Sequence, residues 1–190
     1  MAKRFPIPEF DHDELKSLDW TAPELLDGAA AARIIEAAGG GDTSVYGAYP
    51  VAASDAFLEA LSVRGEHRHV VLCVMPAAGV RMLGRSYAWK IQRAMAAPGV
   101  DAPSTELLVD WKTPRPMNTR LGPGDGIVSP AAAMYLVLVH RYSDYWVANR
   151  TIADNEWSGL SGNGFRVLSC DNDEFDDFHS AVVSFEWDDS

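Results

Sequence analysis

Cysteine is scarce in this chain. Its 190 residues include two, Cys73 and Cys170, far apart and in no CxxC pair. Two such thiols do not make a disulfide scaffold. They imply a reduced, cytoplasmic setting in which both act as small buried hydrophobes. Long apolar runs are also lacking. The longest, Ala131 to Val139, has nine residues, less than half the roughly 20 needed to cross a bilayer. Met1 to Pro8 carries Lys3 and Arg4 with no apolar stretch behind them, so neither a signal peptide nor a membrane partner is expected. No repeat of 20–50 residues is visible.

Positive charge is sparse outside one segment. Residues 1–66 hold 5 Lys/Arg against 12 Asp/Glu, a balance of −7. Residues 67–120 hold 8 against 3, or +5, and residues 121–190 hold 3 against 12, or −9. The whole chain is at −11. A body of that charge repels phosphates, which argues against nucleic acid as the main partner. The basic middle either faces the acidic arms within the fold or forms a cationic patch on an anionic body.

Core-forming material is plentiful. The chain is 47% hydrophobic, with six Trp, six Tyr and seven Phe. That supports a single globular domain over 1–190, preceded by an extended arm at 1–12 that contains Pro6 and Pro8. Thr21-Ala22-Pro23-Glu24 is a capping box with Pro in the first turn, and Gly39-Gly40-Gly41 is a stop, so the sequence predicts a helix over 22–38. Phe57, Leu58 and Leu61 draw one apolar face of a helix over 54–64. Tyr87, Ile91 and Met95, at four-residue spacing, predict a third over 84–97. Strands are expected near 70–75, 105–111, 135–141, 145–151, 165–170 and 181–187, and a Pro/Gly-rich loop over 113–130. Early helices followed by grouped strands predict an α+β fold, with a mostly antiparallel sheet against which the helices pack.

Motifs that carry chemistry are thin. In a strand, His67 and His69 point to the same face and would hold a divalent ion if a carboxylate completed the set. The plainer reading is two half-exposed histidines, since nothing brings His140 or His179 to them. Asp171-Asn172-Asp173-Glu174-Phe175-Asp176-Asp177 resembles a calcium loop in composition only. Asp176 stands where the sixth-place Gly belongs, and Val182 where the closing Glu belongs. Gly122-Pro123-Gly124-Asp125-Gly126 lacks both the dinucleotide fingerprint spacing and a following Gly-Lys-Ser/Thr. Gly159-Leu160-Ser161-Gly162-Asn163 misses the last glycine of a nucleophile elbow, and Gly162-Asn163-Gly164 reads as a turn. A catalytic thiol needs exposure and a positive neighbour. Cys73 lies in an apolar run and Cys170 precedes Asp171. No catalytic residue and no cofactor is expected.

Two charged groups remain. Arg81, Arg85, Trp89, Lys90 and Arg93 form a candidate anion-binding set, because Arg beside Trp stacks on flat or anionic groups. The plainer alternative is internal pairing with the acidic arms. Asp171, Asp173, Glu174, Asp176 and Asp177 form a candidate face for a basic protein partner, with Phe175 and Phe178 either its apolar anchors or the turn's own core contacts. The resulting expectation is a small acidic binding protein without catalysis, of the inhibitor or immunity kind. The alternatives are an enzyme, metal-assisted at His67 and His69 or gripping an anion through the 81–120 segment, and a subunit of a larger assembly.

Overall fold

A computed structural model describes residues 22–76, 79–97, 99, 106–111, 117–121, 133–158, 162–172, 178 and 180–188; for 106, 109 and 117–121 it describes the backbone alone. The arm at 1–12, residue 21 and most of the 113–130 loop lie outside these residues.

Helix α1 spans Gly28–Gly39. It starts later than the capping box predicts. The Asp27 carboxylate accepts from the Ala30 amide at 2.8 Å and is the N-cap. Leu26 is drawn away from the helix: its amide donates to Pro50 O at 2.9 Å and its carbonyl accepts from Ala52 N at 3.1 Å. A sheet edge thus claims the residues that the local signal assigns to the first turn. The glycine stop acts as predicted. Gly41 takes φ +89°, a left-handed value that glycine tolerates.

Strand β1 spans Gly47–Ala52, and helix α2 spans Asp55–Ala60 with Ser54 as its cap. The predicted continuation to 64 fails because Ser62 is left-handed at φ 56° and Val63–Arg64 forms the short strand β2. Strands β3 (His69–Val74), β4 (Val80–Ser86), β5 (Gln92–Ala97), β6 (Glu106–Trp111), β7 (Met117–Leu121), β8 (Ala133–Tyr142), β9 (Tyr145–Ala148), β10 (Arg150–Asp154), β11 (Gly164–Cys170) and β12 (Ala181–Trp187) follow.

The helix predicted over 84–97 does not form. Its residues split between β4 and β5, which belong to different sheets and are joined by Tyr87–Ile91. Pairing decides this against local propensity. β4 lies between β12 and β7, and β5 lies between β8 and β6. The loop predicted over 113–130 is interrupted by β7, which pairs with β4. The strand predicted over 145–151 breaks at Asn149, where the chain passes from one sheet to the other.

The fold is mostly sheet, arranged as two layers. The first runs β1-β3-β8-β5-β6, with β9 on β8 and the parallel β2 on β9; the second runs β10-β11-β12-β4-β7. The other pairings are antiparallel. Between the layers lie Val71, Cys73, Met134, Leu136 and Leu138 from one side, with Met82, Phe165, Val167, Val183 and Phe185 from the other. The opposite face of the first sheet shares a second cluster with Ala31, Ala38, Phe57 and Leu58 of the two helices. Alternation along each strand sends even and odd positions to different clusters, as a pleated strand requires. Cys73 faces the inner core and Cys170 a small outer cluster with Leu168, Phe178 and Val182. Both cysteines are buried and neither is in a disulfide.

Candidate functional site

The two ends of the sandwich differ in chemistry. At the end where β4 begins and β12 finishes, a cleft of about 740 Å³ opens between the sheets, lined by Thr43, Tyr46, Pro76, Asn155, Trp157, Ser158, Asn163, Trp187, Asp188 and several glycines. Turn residues dominate because strand ends and connections make this wall. Tyr46 and Trp187 meet edge to face, 5.6 Å between ring centroids at 84°. Trp187 also leans on the core residue Phe165, at 6.2 Å.

Asn155 fixes the wall. Its Oδ1 accepts from Ala48 N at 2.7 Å and its Nδ2 donates to Ala48 O at 3.0 Å. The amide approaches so closely that a Cβ on Gly47 would sit 2.8 Å from Asn155 Oδ1, so glycine is needed there. Asp188 is held by Arg81 through two bonds, Nη1 to Oδ2 at 3.0 Å and Nη2 to Oδ1 at 3.1 Å. Arg81 Nε also reaches Glu186 at 3.3 Å. The hydrogen bond to Asp188, with help from Glu186, holds the Arg81 proton more firmly than usual.

The opposite end carries the connection Tyr87–Ile91 and the turn between β8 and β9. Trp89 is 91% exposed and Tyr142 55%. Hydrogen bonds hold the backbone on both sides of Trp89. Ser86 Oγ donates to Ser180 O at 2.6 Å and accepts from Ala88 N at 3.3 Å, while Arg141 N donates to Ile91 O at 2.9 Å. Lys90 Nζ donates to Asp171 O at 3.4 Å and sits 5.9 Å from the Tyr142 ring centroid.

Beneath this end runs a buried polar chain. Gln92 Nε2 donates to Asp171 Oδ2 at 2.8 Å. A carboxylate only accepts, so this contact fixes the amide's orientation and turns Gln92 Oε1 toward Asn149 Nδ2, which donates to it at 2.9 Å. Asn149 Oδ1 then faces His140 Nδ1 at 2.6 Å, which must carry the proton. Asn149 Nδ2 also donates to Ser169 Oγ at 3.2 Å, linking the two sheets.

The predicted site residues are dispersed. Arg81 belongs to the cleft end. Arg85 lies over Tyr87 at 5.4 Å, and Lys90 and Trp89 share the opposite connection. Arg93 stacks on Trp146 at 4.2 Å and reaches Asp110 at 3.4 Å. These cations serve several separate partners. Of the acidic set, Asp171 is described; Asp173, Glu174, Phe175, Asp176 and Asp177 lie outside the described residues. Phe178 is fully buried beside Arg150 and is a core contact. His69 Nε2 is 2.6 Å from Thr151 Oγ1 of β10, which ties it to the second sheet. Burial, and then the neighbouring His67 charge, pull its pKa down to about 4. Among the described residues no group of three or more His, Cys, Asp or Glu is placed to hold a metal ion. Among the same residues no helix is long and apolar enough to cross a membrane.

Sequence reasoning missed the cleft. Its aromatics are spread over positions 46, 157 and 187, and the only local signal was the run of turn residues around Gly162 and Gly164. Comparison with known protein families and with curated proteins yields no match for this chain.

Proposed function

We propose that this is a non-catalytic binding protein that engages a basic protein partner, as inhibitors and immunity proteins do. Docking occurs at the end of the sandwich that carries Trp89, Tyr142 and the start of the acidic segment at Asp171. The observation that carries this reading is Trp89. A tryptophan 91% exposed on a backbone pinned on both sides is a preorganised anchor, since little freedom is lost when a partner covers it. Its ring face also attracts guanidinium and ammonium groups. Asp171, bonded to Lys90 of the same connection and to Gln92 just after it, opens the acidic run Asp173, Glu174, Asp176 and Asp177, and a net charge of −11 speeds encounter with a cation-rich surface. Two buried cysteines, neither in a disulfide, support the expected reducing, cytoplasmic setting.

The test is comparative capture of basic proteins by the immobilised chain at low and high salt. Wild type is expected to retain a basic protein at low salt and release it at high salt. Trp89→Ser, and separately Asn or Gln at Asp173, Glu174, Asp176 and Asp177, should each lose it while keeping the wild-type circular dichroism. Equal capture by wild type and Trp89→Ser refutes this docking face.

A further inference from the structure

The cleft at the other end of the sandwich has a chemistry of its own, independent of the Trp89 face. Its volume, about 740 Å³, falls within the range of small-molecule sites, roughly 300–1,000 Å³. Its walls are preorganised, with Asn155 clamped to Ala48 and Trp187 N held by Asn163 O at 3.3 Å. We propose that this cleft binds a neutral saccharide.

Charge selects against other occupants. Among the described residues the lining holds no Lys or Arg, so an anion finds no cationic side chain there. The one carboxylate among the described lining residues, Asp188, has both oxygens engaged by Arg81. A cation would have to compete with that bidentate pair. Neutral hydroxyls, those of Thr43 and Ser158, also line the cleft. Such groups both donate and accept, which matches sugar hydroxyls that do the same.

Ring geometry selects shape. Tyr46 and Trp187 stand at 84° to each other, with Trp157 also in the wall. The ring surfaces that this pair and Trp157 leave open to the cleft suit a saturated ring that presents C–H bonds to an aromatic wall and hydroxyls at its rim. A wholly apolar ligand would offer no hydrogen bond to the Thr43 and Ser158 hydroxyls, and burying a hydroxyl without a partner costs about 1–3 kcal/mol.

The experiment titrates the full chain with cellotriose, maltotriose and chitotriose, and with adenosine and choline as flat and cationic controls. Indole N–H resonances of the six tryptophans are followed by NMR. At least one trisaccharide is expected to shift the Trp157 and Trp187 signals saturably while Trp89 and Trp111 stay in place. Trp157→Ala should weaken that response about tenfold, roughly 1.4 kcal/mol. Trp157→Phe should retain most of it, and Trp89→Ser should leave it unchanged. The proposal is overturned if no trisaccharide moves these signals at high millimolar concentration. It is equally overturned if Trp157→Ala binds as wild type does, or if adenosine or choline binds where the saccharides do not.

Discussion

Removing the Asn149 side chain tests whether the buried polar chain holds the two sheets together. Asn149 is 3% exposed, and its partners Gln92 and Ser169 are both at 0%. In Asn149→Ala, Gln92 Oε1 loses its donor and His140 Nδ1 loses its acceptor. Ser169 keeps its donation to Ala181 O at 2.7 Å and contributes less to the loss. Two buried groups that each lose this bond cost about 1–3 kcal/mol apiece, so a destabilisation of roughly 2–6 kcal/mol is expected. That is a large part of a typical domain stability of about 5–15 kcal/mol. The assay is urea unfolding followed by fluorescence, with the midpoint falling and the slope unchanged. A double variant that also carries Gln92→Leu should lose less than the sum of the singles, because the Gln92–Asn149 bond is then removed from both sides. A loss under about 1 kcal/mol in Asn149→Ala would refute the reasoning, since it would mean that water enters and satisfies the chain.

Three further outcomes follow from the same geometry. His69 titrates near 4 in the fold against about 6.5 when unfolded, so the unfolded chain takes up its proton first; the stability it contributes is complete above about pH 6.5 and declines by roughly 2–3 kcal/mol as pH falls to 4, a slope that His69→Gln should flatten in pH-dependent unfolding. Burial raises the Cys73 thiol far above its usual pKa in the centre of β3, so thiol reagents should label it only after denaturant is added; rapid native labelling would show the strand to be open. Arg81→Leu strands the Glu186 carboxylate, which is 1% exposed, and should cost about 3–5 kcal/mol by thermal or urea unfolding. Asp188→Asn, at a side chain 62% exposed, should cost under about 1 kcal/mol in the same assay.

What the sequence determined was what is local. The apolar run at Val70–Met75 is long enough and β-branched enough to be a buried strand in almost any context, and β3 occupies it. Gly39-Gly40-Gly41 ends α1 because the left-handed turn there needs no partner from elsewhere. The strands at Gly164–Cys170 and Ala181–Trp187 were legible for the same reason as β3. What only the tertiary structure decided was everything that depends on a distant neighbour. The stretch from Gly84 to Ala97 has helical spacing and helix-forming residues, yet ladders offered by β12, β7, β8 and β6 outweigh a preference of a few tenths of a kcal/mol per residue. One of the places where the chain changes sheet is the corner at Asn149, which carries no turn signature. The cleft joins residues 46, 157 and 187, and the polar chain joins 92, 140, 149, 169 and 171. Such groupings are set by strand order, and strand order depends on non-local pairing that no short stretch of sequence encodes.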